Sequence, residues 1–274
     1  MPEDSSPGED IGRTGEIADD YARGYALLQR LGGTERPAVL DLFSDFAEDF
    51  GRQSVAFVYG QLYHRPGLSL PQRQLATIGI LATLGYAQAQ LKFHLGAALR
   101  VGCSRQQLVE AVLQVASFAG FPATINALGV VKELFDELPP APRPTPEPAP
   151  MEGDRYQRGL EAMRRIDGEA GERVAASLAE LAPDLVRYLI EFTFGEVYCR
   201  PGLDLREREI VTVAACTALG TAAPQLKVHV HGLLNVGGTR QEALETILHT
   251  AAYVGFPAAL NGISVARAAF AERD

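Results

Sequence analysis

Two histidines, His94 in QLKFH and His229 in QLKVH, are the side chains best suited to move a proton near neutral pH. They stand 135 residues apart in matching surroundings. Each has a glutamine four residues earlier, Gln90 or Gln225, one helical turn away, where an amide could fix the imidazole tautomer. A buried histidine that only ties helices together would have the same spacing. Arg65 and Arg200 each sit in an RPGL turn, and a guanidinium there suits recognition of a substrate carboxylate. A salt bridge or a helix cap is the alternative. Lys92 and Lys227, set between apolar neighbours, read as solvated stems.

The contexts match because the sequence is a repeat. FVYGQLYHRPGLSL (57–70) aligns with FTFGEVYCRPGLDL (192–205), and GFPATINALGVV (120–131) with GFPAALNGISVA (255–266), at a constant offset and without a gap. Upstream, Tyr21, Arg23 and Gly24 match Tyr156, Arg158 and Gly159. Roughly 30 of about 80 positions are identical over 57–135. Where the copies differ, the second gains titratable groups. Gln74 becomes Glu209, Gln114 becomes His249 and Phe118 becomes Tyr253, while His64 against Cys199 runs the other way. If one copy keeps proton-transfer chemistry, these changes point to the second, although a site between copies could draw on both.

The elements that hold these residues read as helices. Residues 71–85 open with Pro71, tolerated in a first turn, and close on Gly85. Residues 87–101 run to Gly102, and Ser104-x-x-Gln107 and Thr239-x-x-Glu242 have the capping-box pattern. Gly120 and Gly255 end the following helices; Pro122 and Pro257 start the next. Residues 18–31 and 37–50 read as two further helices. No period-two alternation is sustained, so the fold class is all-α. LATIGILATL (75–84) is apolar all round and must be buried on several sides, which predicts packing of copy on copy and further oligomerisation.

The domain plan is a disordered tail over 1–17, a first copy over 18–138, a linker over 139–152 and a second copy over 153–274. The linker opens with seven prolines in twelve residues (139–150), which favours extended polyproline II reaching about 35 Å. With a net charge of −9 and scattered basic residues, a nucleic-acid partner is not expected. No apolar run is long enough to span a bilayer, and the acidic N-terminus has no secretory pattern, so no membrane partner and a cytoplasmic location are expected. The three cysteines, Cys103, Cys199 and Cys216, show no Cys-x-x-Cys spacing and read as core or incidental residues. No metal is expected: His229 and His231 fall on different helix faces, and HExxH is absent. Neither a phosphate-cradling glycine loop nor GxSxG occurs.

The order YxxG, FGxxYxRPGL, RxL or RxI, LxxH, a Gly-(Ser/Thr)-Arg-Gln turn and YxGFPAALN, most fully kept in the second copy, resembles the carboxymuconolactone decarboxylase family (the AhpD-like superfamily). The resemblance covers all but the tail and linker. It implies two tandem helical domains and loss of CO2 from a substrate of the γ-carboxymuconolactone type, with no cofactor. It also implies rings of trimers, so that this chain would form a homo-oligomer, a trimer of pseudo-dimers. Under it, Arg200 or Arg65 would orient a small-molecule carboxylate or lactone. His229 would protonate, with His94 as its counterpart. Glu209, His249 and Tyr253 would relay protons or donate hydrogen bonds, and Tyr253 and Gln225 would help bind the substrate. The peroxidase branch carries Cys-x-x-Cys where this chain has Ala87 and Gln90, or Ala222 and Gln225, so disulfide exchange has no nucleophile. A polyketide-type tailoring enzyme using the same enolate chemistry and a non-catalytic scaffold are the other readings.

Overall fold

A computed structural model describes residues 8–140 and 153–273, and nearly all of the linker, 141–152, lies outside them. The chain divides into two compact units after Pro66. Among the described residues every regular element is helical. No helix among them is long and apolar enough to cross a membrane.

The first unit, Met1–Pro66, holds α1 (Gly8–Gly32) and α2 (Glu48–Ser54). No proline falls between residues 8 and 36, and α1 extends back into the segment expected as tail. The helix expected over 37–50 does not form as such. Only a 3-10 turn at Ala38–Leu40 follows Pro37 before α2 begins. The Ser44 hydroxyl donates to the Asp41 carbonyl, and such local bonds compete with a helical ladder. From α2 the chain continues as π-helical turns over Val55–Gln61 and a 3-10 turn to His64. The glycine of YxxG permits the packing of α1 on these turns: a Cβ on Gly24 would lie 2.4 Å from the Val55 carbonyl oxygen.

Among its described residues the second unit contains eleven α-helices, drawn from both copies. From the first come α3 (Leu70–Leu84), α4 (Gln88–Arg100), α5 (Arg105–Gln114) and α6 (Ala116–Glu137). From the second come α7 (Arg155–Asp167), α8 (Glu169–Leu178) and α9 (Pro183–Tyr188), which continues as π-helical turns over Leu189–Val197. Then follow α10 (Leu205–Leu219), α11 (Ala223–Asn235), α12 (Arg240–Val254) and α13 (Phe256–Ala271). The expected capping boxes form at Ser104 and Thr239, and also at Ser69 and Asp204. Gly120 and Gly255 break their helices at φ of 82° and 81°.

The apolar circumference of α3 is buried, as its sequence requires, because α3 packs along its counterpart α10. The two cores interpenetrate there. Val211 and Leu203 enter the cluster built on α3–α6, while Leu68, Ala76 and Ile80 enter the cluster built on α10–α13. Behind α10, Met163 and Ile166 of α7 pack on Ile190, Phe194 and Tyr198. That contact is close: a Cβ on Gly159 would stand 2.2 Å from the Ile190 carbonyl oxygen. Backbone cannot yield there, so Gly159→Ala is expected to destabilise the fold by about 1–3 kcal/mol despite its better helix propensity. A urea midpoint equal to or above wild type would show that α7 and the π-helical turns can separate.

Candidate functional site

The α10–α11 pair places the first candidate residues. Asp204 caps α10, and Gly220, in the left-handed region at φ 69°, reverses the chain so that α11 returns alongside. Glu209 is thereby fully buried with Oε2 3.0 Å from His229 Nδ1, and His229 is 6% exposed. Tyr198, from the end of the π-helical turns, donates its hydroxyl to Glu209 Oε1 at 2.5 Å. Gly232 makes room for the carboxylate: a Cβ there would lie 2.6 Å from Glu209 Oε2. Gln225 does not take part. It is exposed, and the carboxylate of Glu209 orients the imidazole in its place. Burial alone would lower the His229 pKa, but the Glu209 charge and hydrogen bond, with Asp167 behind them, outweigh it and raise the pKa above its ordinary value.

The rest of this site comes from the other copy. Phe118 meets the His229 ring edge-to-face, with centroids 5.0 Å apart. Thr212 Oγ1 lies 3.1 Å from the Tyr198 hydroxyl and accepts from Gln114 Nε2 at 3.0 Å. Gln114 Oε1 accepts from the buried Arg208 at 3.1 Å, and Arg208 also donates to Glu110 at 2.9 Å. Arg200 closes the chain, its Nε 3.0 Å from both Glu110 oxygens. Seven side chains thus run in unbroken hydrogen-bonded order from Arg200 to Glu209, ending on His229. The salt-bridge alternative is what the structure gives Arg200: Glu110 of the first copy engages its guanidinium. Arg65 is exposed at the end of the first unit.

A second constellation repeats this plan with the copies exchanged. His94 Nδ1 lies 2.9 Å from Gln74 Oε1, the residue at the place of Glu209. Tyr253 meets the His94 ring edge-to-face at 5.6 Å, as Phe118 meets His229. Thr77 Oγ1 donates to the Arg73 carbonyl at 2.8 Å, and His249 Nε2 and the Tyr253 hydroxyl lie 2.8 and 3.2 Å from the same oxygen. Arg73 pairs with Glu245 at 3.3 Å, as Arg208 pairs with Glu110. Sequence order therefore misassigns two candidates: His249 and Tyr253 belong with His94, not with His229 and Glu209. Without a carboxylate at the place of Glu209, burial pushes the His94 pKa down to about 3. Burial, then the charges of Arg73 and His94, hold His249 well below its usual value.

The remaining candidates fall outside both constellations. His231 turns to Glu272, away from His229, as the two-residue spacing predicts. Lys92 and Lys227 pair with Glu137 and Glu272. Burial pushes the Cys103 thiol up to about 11 and raises Cys199 and Cys216 as well, so none supplies a thiolate near neutral pH. Among the described residues, no group of three or more His, Cys, Asp or Glu is arranged to hold a metal ion.

Comparison with known proteins places the chain in a wider group. The profile of the carboxymuconolactone decarboxylase family matches twice, over residues 48–133 and 183–268. The 4-carboxymuconolactone decarboxylase of Acinetobacter baylyi is 35% identical over 117 residues, 42% of this chain and 87% of that protein. The nitrosuccinic acid decarboxylase of Metarhizium robertsii is 35% identical over 78 residues, 28% of this chain and 53% of that protein. A solved structure from Burkholderia xenovorans LB400, assigned as a gamma-carboxymuconolactone decarboxylase subunit, superposes with a TM-score of 0.58 at 23% identity. It covers 93% of this chain and 98% of its own, a likeness of fold.

The two histidine environments make opposite contributions to stability. His94 takes up a proton only near pH 3 when folded but near 6.5 when unfolded, so stability is lost as pH falls from about 6.5 towards about 3. His249 acts in the same sense. His229, with its raised value, contributes fully below about 6.5 and loses that contribution as pH rises through the folded pKa. Urea midpoints are expected to fall between about pH 6.5 and about pH 4, and His94→Gln should flatten that slope. An unchanged slope in the variant would show that His94 is not held neutral.

Proposed function

The chain belongs to the carboxymuconolactone decarboxylase family, and from that premise we propose that it is a cofactor-independent carboxy-lyase acting at the His229–Glu209 site on a carboxylated lactone or β-keto acid. The observation that carries this reading is the buried His229–Glu209 pair, with Nδ1 on the carboxylate and the ring against Phe118. Such a pair keeps an imidazolium inside the protein, with Nε2–H as the proton to be given.

The chemistry asks for little more. As CO2 leaves, the electron pair of the breaking C–C bond passes into the substrate's own conjugated carbonyl as an enolate or dienolate. His229 then protonates carbon and becomes neutral, while Glu209 and Tyr198 hold the ring in place. The nitrosuccinic acid decarboxylase similarity favours a wider substrate class, because a nitro group is an electron sink of the same kind. The Glu209 carboxylate beside His229, replaced by the Gln74 amide beside His94, supports one working site, with His94 held neutral by burial. A trimer of these tandem chains is the assembly this family reading suggests.

The test is CO2 release from γ-carboxymuconolactone in metal-free buffer. Wild type is expected to release it, and His229→Ala to lose about 10²–10⁴-fold in rate. Glu209→Gln, which installs the residue the first copy already carries at Gln74, should lose a comparable factor while remaining folded. His94→Ala should stay within a few-fold of wild type. A folded His229→Ala working at the wild-type rate would remove His229 from the mechanism.

A further inference from the structure

Glu209 and His229 share one proton, because an oxygen and a nitrogen 3.0 Å apart are joined only when one of them donates. It can sit on His229 Nδ1, giving an imidazolium beside a carboxylate, or on Glu209 Oε2, giving two neutral groups. Only the first arrangement offers substrate a strong acid at Nε2, since a neutral ring gives up its last proton far less readily. The side chains behind Glu209 choose between the two.

Their hydrogen bonds can be assigned one at a time, starting from an end that cannot accept. A guanidinium only donates, so Arg208 must meet the oxygen of Gln114, at 3.1 Å, and the amide cannot flip. Gln114 then turns its NH2 to Thr212 Oγ1 at 3.0 Å. Thr212, accepting there, gives its single proton to the Tyr198 hydroxyl at 3.1 Å. Tyr198, accepting in turn, gives its own to Glu209 Oε1 at 2.5 Å. Each step forces the next, and Oε1 is left an obligate acceptor. The bonds all run from the buried cation towards the carboxylate, and bonds aligned in series polarise one another. The His94 constellation is wired differently. Thr77 gives its proton to the Arg73 carbonyl at 2.8 Å, and the place of Gln114 is taken by His249, whose Nε2 can donate or accept.

We propose that this one-way chain holds the shared proton on His229, with Tyr198 as the positioning residue that keeps Glu209 a carboxylate, aimed by Thr212 and by Gln114 of the first copy. The inference deepens the decarboxylase reading and rests on it for its effect on rate. No step is added to the chemistry: the proton given to carbon comes from Nε2, and the one on Nδ1 stays facing Glu209. A side-chain amide has no ionisable proton to pass onward, so Gln114 makes the chain a support for charge and not a path to solvent. One copy thereby sets the acid strength of the other. The charged and titratable groups that bear on the pair are Arg208 through the chain, Tyr198, and Asp167 at the end of α7.

Histidine 15N NMR of the full chain at about pH 6, near the ordinary histidine value, locates the proton without substrate. In wild type both His229 nitrogens should read as protonated. Tyr198→Phe keeps a ring against Phe194 but withdraws the last donor. There Nδ1 should read as unprotonated, and the infrared band of a protonated carboxyl should appear, to vanish again when Glu209→Gln is added. Thr212→Val should move Nδ1 part of the way, and Thr212→Ser, which restores the hydroxyl, should return it. Steady-state kcat of Tyr198→Phe should fall about tenfold or more with KM little changed. A folded Tyr198→Phe whose His229 is still an imidazolium would overturn the proposal, whatever its rate. Thr212→Val with the wild-type Nδ1 signal would overturn the role of Thr212 and Gln114, and this variant decides alone should Tyr198→Phe not fold. Failure of the wild type to release CO2 sinks the decarboxylase reading instead, and the NMR measurement still decides where the proton is held.

Discussion

A carboxylate taken out of water destabilises a protein by several kcal/mol unless donors meet it, and Glu209 is fully buried. Much of the second unit exists to meet that requirement. Tyr198 donates to one oxygen, His229 faces the other, and Gly232 leaves the space. Tyr198 is fixed in turn by Thr212, Thr212 by Gln114, Gln114 by Arg208, and Arg208 by Glu110. Such a chain is stabilising only when complete, because each missing member leaves a buried group unsatisfied. The imidazolium that the proposed chemistry would use follows from the way this carboxylate is kept.

The chain also explains why the two copies must pack as they do. Gln114, Glu110 and Phe118 belong to the first copy, whereas Arg208, Thr212, Tyr198 and His229 belong to the second. The α3–α10 contact that merges the two cores brings these sets together. In a symmetric dimer of identical chains both sites would be the same. A tandem chain lifts that constraint, so one site can combine Glu209 with Gln114 while the other combines Gln74 with His249. One constellation then places a carboxylate against its histidine and the other an amide, on the same backbone plan.

Much of this was legible in the sequence, for identifiable reasons. The repeat, the capping boxes and the helix-ending glycines depend on local chemistry, and the structure reproduces them at Ser104, Thr239, Gly120 and Gly255. Glu209 stood out because it is titratable where the first copy has an amide. The pairing of partners was not legible. His249 and Tyr253 share a copy with His229, but the copies exchange α5–α6 and α12 in space, so they serve His94. Gln225 was placed one turn from His229 by spacing, whereas the true partner comes from a different helix. Arg73, Arg208, Glu110 and Glu245 left one usable signal: charged residues identical in both copies.

A single working site requires the two histidines to differ in protonation although they occupy equivalent places. Titration of both imidazoles by 15N NMR in the intact chain tests this directly. It predicts that His229 remains an imidazolium above the ordinary histidine pKa of about 6.5, while His94 is still neutral well below it. Should both rings lose their protons together at or below the ordinary value, Glu209 would not be sustaining a buried imidazolium, and the assignment of this site would be contradicted.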